Sequence, residues 1–591
     1  MPRPTLAALR FLQLLPPLIV CLLNKWCWGS ISAPEFQEIS HAAVLSGCKD
    51  ESIRDFARIG SYGTWQQNCH RDLLAKLPVE SLVAPAYNVT IPRNDPKSTL
   101  TEPDRGECPV KLPCLWLSLL SNSEDLKPIL DCFFGSPARV AEFWEAQDEK
   151  NPKFRQLLDA LEDPSDLEHC YPIVIHSDAA EYQEEDSLLT VSFRGLLAEH
   201  CDETTMEDNL WITSYPKSAT WPGQDGTLHH LWSWISWSLQ CLFSNVWLPT
   251  GPFGEDLTRD PFWSDLVGKA ILPGRFKAVV WAIAGDMENF QNEFGLRHQS
   301  SNDMCHLCGA NKSDRPFNDQ RRSAAWACTL HMVQVGLTHP IFLLPYMSVY
   351  FFALDVLHIL DLGISAHMIG NLFFDLVFLQ LPGNREANLK TVWTHVLQNC
   401  QDIEHGKGLT RLEFRNFTDW RKPWSTYPCM SHVKAAHVRK LVPLAAKLAI
   451  EYNTGSPAHQ HRADMLANLD AFYTCLYEQA VVPDFSVALM AAKNMQMCLE
   501  HYSWLAADAL EKRHMMYSEV PKHHYAVHLA QQNLFLNAAA VWTYGGESYV
   551  GKASRLAMSC NKGTASFDVP YKMCEKIDVA HALQFANVIG S

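Results

Sequence analysis

The chain has 591 residues, of which 47% are hydrophobic, and it contains 19 tryptophans. This length predicts two or three domains, and the apolar content excludes a chain that is mainly disordered. Lys and Arg number 49 against 65 Asp and Glu, which gives a net charge of −16. Because Lys and Arg neutralise phosphates in nucleic-acid complexes, this charge argues against DNA binding over the whole surface but permits a local basic groove.

The first 165 residues are predicted to form a helical region. Within it, residues 85–113 are rich in Pro, Asn, Asp and Thr and are predicted to be a linker. Near the start, Phe11–Leu23 is almost wholly apolar and follows two arginines, which is the layout of a secretory signal peptide. Pro16 and Pro17 interrupt this run, so a buried helix is the alternative. The run is too short for a comfortable membrane span, and a membrane partner is not expected.

Near residue 166 the apolar residues change from helical spacing to short continuous runs, which predicts an α/β core over residues 166–320. Apolar runs with β-branched and aromatic residues predict strands at Tyr171–Asp178, Leu188–Phe193, Asn209–Ser214 and Arg275–Ala284, with a helix at Leu228–Trp247 before the last strand. This order is expected of a ribonuclease-H-like core with a mixed sheet, although many α/β folds share it. Residues 321–535 are predicted to be an all-α insertion, and residues 536–591 to return to the core and end in a C-terminal tail.

Three short motifs follow one another in the chain. They are the Ala-Gly-Asp run that ends at Asp286, the Cys-x-x-Cys pair of Cys305 and Cys308, and the Asp-x-x-His pair of Asp355 and His358. This ordered combination resembles the catalytic cores of eukaryotic cut-and-paste DNA transposases of the CACTA-like and hAT-like groups, over residues 170–555. The resemblance implies a ribonuclease-H-like core, and descent from an enzyme that cuts and joins DNA.

The resemblance also implies which acids would hold metal ions. Cleavage of a phosphodiester by this fold uses two divalent ions, Mg²⁺ or Mn²⁺, and such ions prefer carboxylate oxygens. The candidate catalytic and metal-binding residues are Asp178, Asp286 and Glu547. Where the family has a His-Gly-Asp-Gly turn, this chain has Ser and Ala on either side of Asp178, and this departure favours a loss of activity. The alternatives are a plain strand-end acid for Asp178, a helix cap for Asp286 and a glycine turn before Glu547.

The Cys-x-x-Cys pair has the ligand spacing of a zinc site, which needs two more donors. By spacing alone, Cys328 and His331 would complete it. The resemblance instead implies that Asp355 and His358 fold against the pair. Two unpaired buried thiols are the third alternative. With zinc bound, we expect the site to brace the core rather than to perform the chemistry.

Three functional hypotheses remain open. The first is a metal-dependent DNA endonuclease or strand transferase that acts on double-stranded DNA in the nucleus. A homo-oligomer of this chain is compatible with that activity. The second is a catalytically inactive, transposon-derived DNA- or protein-binding scaffold that retains the fold. The third is a secreted or membrane-tethered protein, and it rests on the apolar run near residue 11. No zinc-finger or helix-turn-helix signature stands out in the first 165 residues.

Overall fold

The computed structural model describes residues 6–95, 102–199, 208–330, 332–401, 409, 411–419 and 421–590. Its strands lie between residues 87 and 284, with helices before, between and after them. The strands are β1 (Tyr87–Arg93), β2 (Asp104–Val110), β3 (Cys170–Gln183), β4 (Asp186–Gly195), β5 (Leu210–Pro216) and β6 (Lys277–Ala284). The helices of the first half are α1 (Leu6–Gln13), α2 (Pro17–Cys27), α3 (Ala33–Leu45), α4 (Glu51–Ala57), α5 (Ile59–Tyr62), α6 (Cys69–Leu74), α7 (Pro113–Ser121), α8 (Lys127–Phe134), α9 (Pro137–Glu145), α10 (Pro152–Ala160), α11 (Thr227–Ser244) and α12 (Met287–Asn292). Those of the second half are α13 (Ser365–Asp375), α14 (Arg385–Gln401), α15 (Ala435–Glu451), α16 (Pro457–Glu478), α17 (Phe485–Glu511), α18 (Pro521–Gln532), α19 (Tyr544–Cys560) and α20 (Val569–Gly590).

The protein is a mixed α/β structure, as expected, and each predicted core strand is present. Strands β5, β4, β3 and β6 lie in this order in one sheet. The pairs β5–β4 and β4–β3 are antiparallel, whereas β3 and β6 are parallel, with His176 opposite Ala284. Beyond β6, Phe352 makes a parallel bridge to Ile283, and the amide of Ala353 donates to the carbonyl of Ile283 at 2.9 Å. The edge after β6 is therefore extended by one short parallel contact.

Helices cover both faces of this sheet because neighbouring strand residues point to opposite sides. On one side, Leu188 and Trp211 pack with Tyr549 of α19 and Met573 of α20 in a separate apolar cluster. On the other side, Leu189 and Ile212 belong to the main core, and α8, α9 and α11 pack against the strands. The strands are consequently buried on both faces, and all seven residues of β5 are buried.

The C-terminal segment is a buried helix, and the expectation of a tail was wrong. Helix α20 packs against β5, α8, α1 and α2. The ring of Phe585 meets the rings of Phe133 and Trp116 edge-on, with centroids 5.5 and 6.0 Å apart. The side-chain amide of Gln13 donates to the carbonyl of Ala586 at 2.9 Å. An apolar helix therefore completes the core in this segment, whereas the chain was predicted to extend away from the core as a tail.

The apolar run near the N-terminus forms α1 and α2, which lie against α20. Leu9, Leu23 and Trp26 are fully buried. By length and composition these two helices together would suffice for a membrane span, but they are bent by 105°. The helical stretch Leu357–Gln380 is also apolar enough, and 78% of its most apolar window is buried inside the protein. Burial among other helices accounts for the hydrophobicity of this stretch.

Residues 85–113 are not the linker that the sequence predicted. Strands β1 and β2 pair as an antiparallel two-stranded sheet, and β1 packs against α11. Val89 and Ile91 are buried whereas Thr90 between them is exposed. The alternation fixes which face of the ribbon enters the core, since successive side chains of a strand point to opposite sides.

The predicted helical insertion contains α13 to α18. It begins with Leu357–Ile364, a helical stretch with wide π-type turns that Gly363 interrupts. Helix α18 packs against this stretch and against α17. The chain then returns to the sheet through α19, which packs on β3 and β4.

Truncation of Phe585 tests whether α20 belongs to the core. We expect Phe585→Ala to lower the free energy of unfolding by about 3–5 kcal/mol, because it removes a buried aromatic ring. Urea unfolding followed by circular dichroism measures this. Phe485→Ala is the matched control, since Phe485 is 44% exposed, and it should change stability little. Equal, small losses in both variants would contradict the packing of α20.

Candidate functional site

The register of the two parallel strands brings Asp178 and Asp286 together. Because His176 lies opposite Ala284, residues two further along each chain arrive at the same level. Asp178 sits where β3 emerges from the core, since the eight strand residues before it are buried and it is half-buried. The charge of Asp286 is close enough to raise the pKa of Asp178, although burial is the larger cause.

Asp286 is also the N-cap of α12, as the helix-cap alternative predicted. Its Oδ1 accepts from the amide of Asn289 at 2.6 Å, and the Asn289 side chain donates to the carbonyl of Ser177 at 2.8 Å. The cap therefore fixes Asp286, and the same turn ties α12 to the strand that carries Asp178. The capping role leaves the second carboxylate oxygen of Asp286 for other ligands.

Glu547 lies in the first turn of α19, and it is close enough to Asp178 for the charge of Asp178 to raise its pKa. Its helix approaches β3 closely at Gly546, where a Cβ atom would stand 2.5 Å from the imidazole ring of His176. Only glycine permits this approach, so the Gly-Gly pair does more than form a turn. The structure thus brings together all three predicted acids, Asp178, Asp286 and Glu547, which we call the carboxylate cluster.

The carboxylate cluster is electrostatically unfavourable without a cation. Burial and the charge of Asp178 raise the pKa of Glu547 to about 8. The Oε1 atom of Glu547 is buried and has no hydrogen-bond partner among the described residues. Carboxylates that repel one another favour either a proton or a metal ion between them. Hard divalent cations bound by oxygen, such as Mg²⁺ or Mn²⁺, match these donors.

A histidine stands beside the carboxylate cluster. The Nε2 atom of His358 lies 3.9 Å from Oε1 of Glu547, and its Nδ1 lies 2.7 Å from Oδ2 of Asp355. Burial lowers the pKa of His358, but the hydrogen bond to Asp355 and the charges of Asp355, Glu547 and Asp286 outweigh it, so the pKa is raised. These neighbouring acids therefore favour the protonated, positively charged form of the imidazole.

Asp355 connects this histidine to the segment that precedes Glu547. Its Oδ1 accepts from the amide of Thr543 at 2.9 Å, and its Oδ2 accepts from the Thr543 hydroxyl at 2.8 Å. The carbonyl of Thr543 in turn accepts from the amide of Glu547 at 2.7 Å. The fully buried Asp361 similarly accepts from the hydroxyl of Tyr544. Asp355, just before the helical stretch Leu357–Ile364, and Asp361 within that stretch thus position the first turn of α19.

A second group of ligand atoms lies apart from the carboxylate cluster. Cys305, Cys308, His524 and His528 are all buried, and their ligand atoms lie within 4.8 Å of one another. We call this the Cys2His2 cluster. His524 and His528 are four residues apart on α18 and therefore share a face. Four thiol and imidazole donors at this spacing can hold a zinc ion.

Neighbouring groups orient these donors. The amides of Leu307 and Ala310 donate to the sulfur atoms of Cys305 and Cys308, each at 3.3 Å. Nδ1 of His528 lies 3.0 Å from Oε1 of Gln531, which leaves Nε2 directed at the cysteines. Burial lowers the pKa of His524 to about 4, so its imidazole is neutral near pH 7 and retains a lone pair for a metal.

The structure corrects both predicted completions of the Cys pair. Asp355 and His358 lie at the carboxylate cluster instead, because Asp355 is bound to Thr543 beside α19. Cys328 is exposed and its thiol donates to the carbonyl of Ala325, while His331 lies outside the described residues. The partners that sequence reasoning missed are His524 and His528. Their signal was present as a His-x-x-x-His spacing on a predicted helix.

Comparison of the chain with protein-family models and with curated proteins finds no match. Function is therefore inferred from the two clusters and from the fold that positions them.

Substitution of Gly546 tests the approach of α19 to β3. We expect Gly546→Ala to destabilise the protein by about 1–3 kcal/mol, because the new methyl group overlaps the ring of His176. The double variant Gly546→Ala/His176→Ala should recover much of that loss, since the ring is gone. Urea unfolding of the four proteins of this cycle measures the coupling. Strictly additive losses would contradict the contact.

The pKa of Glu547 predicts a pH dependence. In buffer without divalent ions or chelator, folding is opposed as pH rises from about 4.5 to about 8, since the unfolded chain ionises first. Glu547→Gln removes this penalty, so its melting temperature should exceed that of the wild type by a margin that grows over this pH range.

Glu288→Gln, at an exposed position of α12, is the control and should follow the wild type at every pH. A margin between Glu547→Gln and the wild type that does not change with pH would contradict the raised pKa.

Proposed function

We propose that this protein is transposon-derived and that the carboxylate cluster binds two divalent metal ions for cleavage and strand transfer of double-stranded DNA. The observation that carries the proposal is the convergence of three acids 108 and 261 residues apart in the chain, Asp178, Asp286 and Glu547, at one edge of the sheet. Three acids gathered in one place, with the pKa values of Asp178 and Glu547 raised, are better explained by a ligand than by folding.

The strand order supports a ribonuclease-H-like core as the finer description of the fold. Three antiparallel strands in sequence are followed by a helix and then by a strand parallel to the first, which lies beside it. The acids come from the first strand, from the end of the parallel strand and from a helix on one face. The resemblance implies the first two placements, and it puts the last acid before a helix, whereas Glu547 lies in the first turn of α19.

Each residue has a distinct part in the proposed chemistry. Asp178, Asp286 and Glu547 would hold Mg²⁺ or Mn²⁺, which when bound activates the attacking oxygen and stabilises the leaving one. Glu547 would bind in its ionised form, with the cation in place of the proton that its raised pKa retains. His358 and Asp355 act on Glu547 by position and charge.

A positive side chain near the cluster supports a phosphate substrate. Lys522, at the start of α18, is close enough to Asp286 and Asp355 for their charges to interact. This is a local positive charge in a protein of net charge −16. Such an arrangement fits a confined groove for one stretch of DNA rather than a broad basic surface. DNA as the substrate implies a nuclear protein.

A non-catalytic scaffold is the second candidate, and His358 is the observation that favours it. Protonation of His358, which the neighbouring acids favour, would partly neutralise the cluster without any metal ion. The absence of glycine on either side of Asp178 also removes backbone freedom where a substrate would approach. A protein of this kind would retain the fold and bind partners without cutting DNA.

A nicking and strand-transfer assay separates the two candidates. We expect purified protein with Mg²⁺ or Mn²⁺ to nick plasmid DNA, and Asp286→Asn to lower the rate by at least about a hundredfold, since a metal ligand is lost. Glu288→Gln changes an exposed acid two residues away and should leave the rate unchanged. A folded wild type that cuts no DNA with either ion would favour the scaffold.

We also propose that the Cys2His2 cluster binds structural zinc. Its donors come from the loop after α12 and from α18, and Cys308 and His524 are 216 residues apart. A metal ion would therefore close the helical insertion at its base. The zinc has no open position for catalysis if all four donors bind it.

Metal analysis of two cysteine variants tests this. We expect about one zinc per chain in the wild type and in Cys328→Ser, whose thiol is exposed. Cys308→Ser should lose the zinc and melt at a lower temperature, because the ion no longer joins α18 to the core. Full zinc content in Cys308→Ser would overturn the assignment, as would a folded wild type that contains none.

A further inference from the structure

A largely apolar cavity of about 360 Å³ lies beside the start of α10. Its walls come from the loop and first turn of α10, from the segment before Asp355, from the end of α18 and from the segment that leads to α19. Among the lining residues are Tyr350, Leu354, Leu534, Phe535 and Val541. The volume is within the range of small-molecule sites, which are mostly apolar with a few polar groups that fix orientation.

Two buried donors line this cavity at the start of α10. Asn151 is 4% exposed, and its Oδ1 caps the helix by accepting from the amide of Lys153 at 3.1 Å. Its Nδ2 has no hydrogen-bond partner among the described residues. Lys153 is 6% exposed, and its ammonium group donates to the carbonyl of Trp281 at 2.8 Å. An ammonium group has three donors, so two remain for other acceptors.

Lys153 has no acidic partner within the part of the chain that the structure describes. Its surroundings are the rings of Trp281 and Phe351, at 4.2 and 5.7 Å. Burial alone lowers the pKa of this lysine to about 7. A buried cation without a counter-ion opposes folding, so a residue of this kind needs a compensating role.

We propose that this cavity binds a small amphiphilic carboxylate, with the aliphatic body against the apolar walls and the carboxylate on Asn151 and Lys153. A negatively charged acceptor fits this place, because the donors are the amide of Asn151 and the amino group of Lys153, which a bound anion would keep protonated, at the positive end of a helix. A carboxylate has two oxygens and can accept from both side chains at once. An aliphatic body suits walls that offer few polar atoms.

The position of the cavity connects it to both clusters. Leu354 directly precedes Asp355, and Val541 lies two residues before Thr543. His528 of the Cys2His2 cluster also lines the cavity. A bound molecule would thus stiffen the segments that position Glu547 and the last two metal donors. Binding does not depend on DNA cleavage, and it can be tested separately.

Decanoate and decanol serve as probes because they share an apolar chain and differ in head group. Titration calorimetry on the full chain, below the concentrations at which the probes self-associate, should give at least about tenfold tighter binding for decanoate, the weight of one charged contact. Thermal melting with decanoate should show a corresponding rise. Equal affinity for the two probes would overturn the proposal, as would no binding of either.

Two variants remove the donors in different ways. Lys153→Met keeps the length of the side chain and should abolish the preference for decanoate. Asn151→Asp keeps a good helix cap, places an acid beside Lys153 and should also abolish decanoate binding while raising the melting temperature of the free protein.

Lys150→Met is the matched control, because Lys150 lies at the rim with 74% of its side chain exposed. It should retain the preference. If Lys153→Met fails to fold, decanoate binding by Asn151→Asp alone decides whether the assignment holds. Unchanged decanoate binding in a folded Asn151→Asp or Lys153→Met variant would refute the assignment.

Discussion

The repulsion among three half-buried carboxyl groups is the constraint on which the rest of this structure depends. Burial and the charge of Asp286 raise the pKa of Asp178, and burial and the charge of Asp178 raise the pKa of Glu547. The supports are rigid. The parallel register of β3 and β6 fixes two of the acids, and the contact between Gly546 and His176 fixes the third. Under the proposed function, an array held this firmly is preorganised for a cation.

The helical insertion separates Glu547 from the other two acids by many residues. The Cys2His2 cluster provides a contact that brings the two ends of the insertion together. More than two hundred residues separate Cys308 from His524. Closing so long a loop has an entropic cost that a strong local contact must offset. With the donors of α18 joined to the loop after α12, the chain leaves that helix already close to the sheet. Glu547, in the first turn of α19, follows 15 residues after the end of α18, so the second cluster supports the first.

The sequence was informative where a signal lay within one short segment. The core strands could be predicted because each is a continuous apolar run, and Asp286 could be found because it ends such a run. Glu547 could be proposed only through the resemblance to transposases, since nothing local marks it apart from the glycines before it. Pairing the Cys residues with His524 and His528 required knowledge of how the long insertion folds back.

Two other predictions, the linker at residues 85–113 and the C-terminal tail, were wrong. The segment with β1 and β2 contains prolines and polar residues, and the alternation of Val89, Thr90 and Ile91 was too short to outweigh them. The pairing that makes them strands is a property of the two segments together. Helix α20 was missed because a C-terminal position was taken to mean a tail, whereas Phe585 completes an aromatic contact with Phe133 and Trp116.

Manganese binding, followed by electron paramagnetic resonance, tests the central claim most directly. The account predicts two Mn²⁺ ions per zinc-loaded chain, close enough to be magnetically coupled, at the separation of about 4 Å that paired sites show. Asp178→Asn should lose the coupled signal and keep its zinc. A folded, zinc-loaded wild type that binds no Mn²⁺ would contradict a metal site at Asp178, Asp286 and Glu547.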